Sequence, residues 1–90
     1  MLGNIEVIEQ KSLTKMPQKA ASAWSSFEGE IVGANYKPIA YVGTQLVKGT
    51  NYVFLAEQTL VTAPPVRHIV IVKINEYGGD YTTVGIEQVI

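Results

Sequence analysis

A chain of 90 residues, 47% hydrophobic and 17% charged, has the balance of a folded globular protein and suffices for one modest core, not for two. Seven Lys and Arg against eight Asp and Glu, scattered without runs, leave no electrostatic footprint for nucleic acid or for an anionic membrane surface. The absence of cysteine excludes a disulfide framework, a thiolate metal site and a cysteine nucleophile together.

No stretch approaches the roughly 20 apolar residues needed to span a bilayer, and no basic segment leads into an apolar run and a cleavage site. The expectation is a soluble, cytoplasmic single domain over residues 1–90; a secreted form with its leader removed would read the same. In chain order, Ile5-Glu6-Val7-Ile8 is a short apolar pattern suited to an edge strand, and Gly3 leaves the terminus before it pliable. From Ser12 the period changes. Leu13, Met16, Ala20, Ala23, Trp24, Phe27 and Ile31 recur at spacings of three and four and draw one apolar stripe along a helix. Ser12 or Thr14 offers an N-cap, and Pro17 is tolerable in the first turn, where amides lack an intrahelical acceptor. Gly29 and Gly33 place the helix end between about Phe27 and Ala34, and Trp24 and Phe27 are the expected core anchors.

After Asn35 the residues turn β-prone. Tyr36, Ile39, Tyr41 and Val42 lead into the turn Gln45-Leu46-Val47-Lys48-Gly49, and Tyr52, Val53, Phe54 and Leu55 lead out of it. Pro38 suggests an edge position and Gly43 a bulge. At the tip, Leu46 and Val47 stand where turn chemistry prefers Asn, Asp or Ser, leaving Gly49 as the only residue that takes positive φ freely. Either this apolar tip meets a partner or its two apolar side chains fold back onto the core.

The outgoing strand runs to Ala63-Pro64-Pro65, where two missing amides stop the ladder. His68-Ile69-Val70-Ile71-Val72-Lys73-Ile74 is apolar on both faces and fits the middle of a sheet. Tyr77-Gly78-Gly79-Asp80 makes the next turn, and Tyr81 to Ile90 closes as a last strand. This order describes an α+β domain, one helix packed across a four- to five-stranded antiparallel meander. Strand direction brings the N-terminal segment, the Val47 turn and the Gly78 turn to one end, and the Pro64 turn to the other.

Catalytic chemistry finds no foothold in this order. His68 is the single histidine, lies inside a predicted strand and has no acidic neighbour at ligand spacing. Ser12, Ser22, Ser25 and Ser26 lie in no Gly-x-Ser-x-Gly turn. The close carboxylates Glu28 and Glu30, or Glu76 and Asp80, sit at a helix end and a turn, where solvated charge is ordinary. Gly78-Gly79 lacks the residues that complete a phosphate-cradling loop. No enzyme activity, cofactor or metal is expected.

The run from Gln45 through Tyr52 points elsewhere. It resembles the cystatins, protein inhibitors of papain-like cysteine proteases, whose signature is Gln-x-Val-x-Gly, commonly followed by Thr-Asn-Tyr. Gln45, Val47, Gly49, Thr50, Asn51 and Tyr52 match position for position, and the order of elements is similar over nearly the whole chain. The lack of cysteine is similar to the stefin branch. The resemblance implies a cystatin/monellin-like fold and reversible, non-covalent inhibition by a wedge that obstructs the protease cleft. Carried over, that wedge comprises Gly3, then Gln45, Leu46, Val47, Lys48 and Gly49, then Tyr77 and Gly78 in the second turn. Here the second turn reads Tyr77-Gly78-Gly79, where the family often carries Pro-Trp or Leu-Pro, and only two residues precede Gly3. A second reading keeps the fold but makes the same end an interaction module that pairs with itself, exchanging a hairpin with Val47 as hinge into a homodimer. A third, a small-ligand carrier on the concave sheet face, lacks a convergent polar set in the sequence.

Overall fold

The computed structural model describes the backbone of residues 5–7 and the whole of residues 16–90. Gly3 and the proposed caps Ser12 and Thr14 lie outside the described residues, as does Leu13. The elements run β1 (Ile5–Val7), α1 (Gln18–Glu30), β2 (Ala34–Val47), β3 (Gly49–Leu60), β4 (Val66–Tyr77) and β5 (Asp80–Gln88). The strands form one antiparallel sheet in the order β1-β2-β3-β4-β5, a meander with α1 packed on one face, so the architecture is α+β.

The helix forms where the stripe predicts and buries Ala20, Ala23, Trp24 and Phe27, while Lys19, Ser22 and Ser25 stay exposed. Its start differs from the expectation. Pro17 sits one place before the first turn, at the N-cap, with an extended ψ of 147°, and its carbonyl accepts the Ala21 amide at 2.9 Å. A residue with extended ψ cannot belong to the helix, so the ring's fixed φ serves here to lead the chain in. The far end falls where expected, with Glu30 last and Ile31 already extended.

Side chains at alternate positions of a strand share a face. On β3 the set facing α1 is Tyr52, Phe54 and Ala56, whose partners on β4 are Ile74, Val72 and Val70, and all six are buried. Aromatic rings tie the helix to this set. Trp24 stands 5.1 Å from both Phe27 and Phe54, Phe27 meets Tyr36 edge-on at 4.9 Å, and Tyr41 lies 5.5 Å from Phe54. Trp24 Nε1 is the one buried side-chain polar atom among the described residues without a hydrogen-bond partner, and it accompanies a ring that packs on two others.

One detail corrects the sequence reading of β2 and another bears out the bulge expected at Gly43. β2 is not an outermost strand along its length, because β1 pairs with Gly43 to Gln45. Pro38 remains compatible with the ladder because the β2–β3 register shifts between Pro38 and Ala40, and again between Tyr41 and Gly43. β4 lies between β3 and β5, as its two-sided apolar pattern requires. Replacing Phe54 by Ala would empty the contact point of helix and sheet. Urea unfolding followed by circular dichroism is expected to show a loss of about 3–5 kcal/mol, against less than about 0.5 kcal/mol for Val32→Ala. Val32 serves as the reference because it is 94% exposed.

Candidate functional site at the hairpin end

The register gathers the turns at one end of the sheet. Gln45 pairs with Asn51, Leu46 with Thr50 and Val47 with Gly49, which leaves Lys48 alone at the apex of the β2–β3 hairpin. Thr50 pairs with Glu76, so the Gly78-Gly79 turn between β4 and β5 lies beside that apex. β1 also reaches this end, Ile5 standing opposite Gln45. The Pro64-Pro65 turn lies at the far end.

The apex is Lys48, not the Leu46-Val47 pair. Both apolar residues belong to β2 and, as strand neighbours, point to opposite faces. Leu46 projects on the α1 side and is 64% exposed, so it does not fold back onto the core. Val47 turns to the helix-free side and is half-buried. Gly49 makes the single-residue connection possible with a φ of +82°. A side chain there is excluded twice over, by that φ and by space. An added Cβ would collide with the Glu76 carbonyl oxygen and stand 3.0 Å from Tyr77 Cβ. The second turn places Gly78 and Gly79 both at positive φ, 62° and 88°, the pattern of a two-residue type I′ connection.

A row of amides crosses the base of the apex. Asn51, 6% exposed, donates from Nδ2 to Gln45 Oε1 at 3.2 Å and accepts at Oδ1 from Asn75 Nδ2 at 3.0 Å. Asn75 Nδ2 also donates to the Lys48 carbonyl at 3.0 Å. Three strands and the apex are thereby joined through side chains. Above this row, Lys48 Nζ lies 5.3 Å from the centre of the Tyr77 ring, a cation–π contact between the two turns. Gly79 donates its amide to Glu76 Oε2 at 2.8 Å, which closes the second turn.

Of the residues singled out from the sequence, Gln45, Leu46, Val47, Lys48, Gly49, Tyr77 and Gly78 come together at this end, and Gly3 lies outside the described residues. The sequence reading passed over Asn75, whose signal was its place opposite Asn51 two strands from Gln45. It also passed over Lys73 and Val84, which with Val47 and Lys48 line a concavity of about 470 Å³ on the helix-free face. His68 is half-buried at the other end, opposite Gln58, beside a smaller hollow of about 170 Å³. Among the described residues no group of three or more His, Asp or Glu is placed to hold a metal ion, and no helix is long and apolar enough to cross a membrane.

Tyr52 anchors the base of this end on the α1 side. Burial raises its hydroxyl pKa above the ordinary 10.0, and Glu76 and Tyr81 add to the shift; burial, then Tyr52, raises that of Tyr41. A neutral tyrosine is thus favoured in the folded state. Its contribution is fully present below pH 10.0, where unfolded tyrosine is also neutral, and is lost as pH climbs from there through the raised folded values. Unfolding free energy is expected to fall as pH rises above 10.0, and Tyr52→Phe is expected to flatten part of that fall. For the amide row, Asn51→Ala removes the donor to Gln45 Oε1 and the acceptor of one Asn75 hydrogen, with an expected loss of about 1–3 kcal/mol in urea unfolding. No protein-family model, curated protein or solved structure matches this chain.

Proposed function

We propose that this chain is a cystatin-like protein, with the corresponding cystatin/monellin-like fold, that inhibits papain-like cysteine proteases reversibly by obstructing their active-site cleft, without enzyme activity of its own. The observation that carries this reading is the position of the Gln45–Tyr52 run. It forms the projecting end of a helix-backed sheet, with the Gly78-Gly79 turn alongside. An obstructing wedge needs an apolar contact that loses little entropy on docking. Leu46 supplies exposed apolar surface, and the amide row with Gly49 holds the backbone beneath it. Tyr77, 55% exposed, adds an aromatic contact from the second turn, restrained by Lys48.

The direct test is titration of papain or a cathepsin with the protein, read by hydrolysis of a fluorogenic peptide. Full, reversible inhibition is expected, and no inhibition at tens of micromolar would overturn the reading. Val47→Asp is expected to raise the inhibition constant about 100-fold, equivalent to about 2.8 kcal/mol, because the cleft would desolvate the new charge. An unchanged constant would remove Val47 from the contact. Light scattering on the same sample separates inhibition by a monomer from a hairpin-exchanged homodimer, in which β2 and β3 would part at Val47.

A further inference from the structure

The helix-free flank of the hairpin end has a chemistry that protease obstruction does not require. The concavity there, about 470 Å³, is larger than two hollows of about 170 Å³ each elsewhere among the described residues and lies in the range of small-ligand sites. Its wall carries two ammonium groups, Lys48 and Lys73, and no carboxylate. Among the described residues neither lysine makes an ion pair; Lys48 rests over Tyr77 and Lys73 has no polar contact. Below them lies Asn51, nine-tenths buried and held by its two amide neighbours, its Nδ2 carrying two hydrogens of which one goes to Gln45 Oε1. Gln45 and Asn75 complete the polar part of the wall, and Val47 and Val84 make its apolar part; Val84 shares the face of Thr82, which stands opposite Asn75. Two cations, a fixed amide donor and an apolar wall converge on one space.

We propose that this concavity binds a small organic carboxylate with a short apolar tail. The carboxylate would lie between the Lys48 and Lys73 ammonium groups and accept from Asn51, and the tail would cover Val47 and Val84. An acid with an apolar body fits better than phosphate, because the site offers neither a guanidinium fork nor a helix N-terminus and Val47 and Val84 would stay wet under an inorganic anion. The proposal does not rest on protease inhibition. The two readings meet at Val47 and Lys48, so a bound acid would compete with a protease.

The test is an NMR titration of the 15N-labelled full chain with hexanoate, alongside 1-hexanol as the neutral analogue and inorganic phosphate as the anion without a tail. Saturable shifts are expected at Lys73, Asn75, Val84 and the Asn51 side-chain amide, with a dissociation constant on the order of 1 mM for so small a ligand. Hexanol and phosphate are each expected to bind at least about tenfold more weakly. Lys73→Gln is expected to weaken hexanoate about tenfold, and Val84→Asp, at an edge residue 51% exposed, to abolish binding by like-charge repulsion. Shifts that do not saturate, that spread over α1, or that are matched by hexanol or by phosphate would each overturn the proposal. No protease takes part, so this outcome is independent of the inhibition assay.

Discussion

The hairpin end depends on Asn51. A polar side chain buried at 6% exposure costs free energy unless its hydrogen bonds are made, and Asn51 makes them sideways, to Gln45 on one strand and Asn75 on the other. Asn75 spends its remaining hydrogen on the Lys48 carbonyl, so the apex is fastened to β4 and not only to its own two strands. This arrangement also specifies register. A one-residue slip of β3 would carry Asn51 to the α1 face, into the place of Tyr52 or of Thr50, and strip both partners from it.

Steric exclusion adds to the polar constraint. The last core rung before the turns is Tyr52 with Ile74; beyond it, the rungs Asn51–Asn75 and Thr50–Glu76 extend past the aromatic cluster that α1 covers. Such an extension lacks helix packing to stiffen it. The close approach of Gly49 to the Glu76 carbonyl supplies that stiffness, since the two hairpins pack backbone against backbone where any side chain would force them apart. Rigidity at this end therefore comes from amides and a glycine, and rigidity of the base from Trp24, Phe27 and Phe54.

Much of the fold was legible because its signals are local. The stripe through Ala20, Ala23, Trp24 and Phe27 is a helix period, Pro64-Pro65 and Gly78-Gly79 are breaks that any sheet must respect, and the two-sided apolar run of β4 asks for neighbours on both edges. The helix start was less legible, because Pro17 suits the first turn and the N-cap equally by its φ and only ψ distinguishes them. At the candidate site the apolar pair Leu46-Val47 was visible, yet the apex fell on Lys48. Gly49 signalled a positive φ locally, but its close approach to Glu76 and the hydrogen bond from Asn75 to the Lys48 carbonyl, between residues 27 positions apart, are encoded by no local propensity. The family-like run included Asn51, but its task emerges only when three strands are in register. Val84 was hidden for a similar reason, since its neighbourhood to Lys73 and Asn75 exists only once β4 and β5 are paired.

The distribution of restraint over Lys48 has a mechanical consequence. Its carbonyl is held by Asn75, whereas its ammonium group is held only by an exposed ring contact of about 0.5–1 kcal/mol. Backbone position is therefore fixed while the charged head is cheap to move. The same division holds on either side of it: Leu46 projects from a fixed strand, and Tyr77 projects from a turn closed by Glu76. A surface of this kind keeps its main chain unchanged on binding and adapts through three side chains, which confines the entropy lost to a few rotamers. At the proposed anion site, Lys48 would leave Tyr77 without disturbing the amide row beneath. The fixed and the movable parts of the apex belong to different atoms of the same residue.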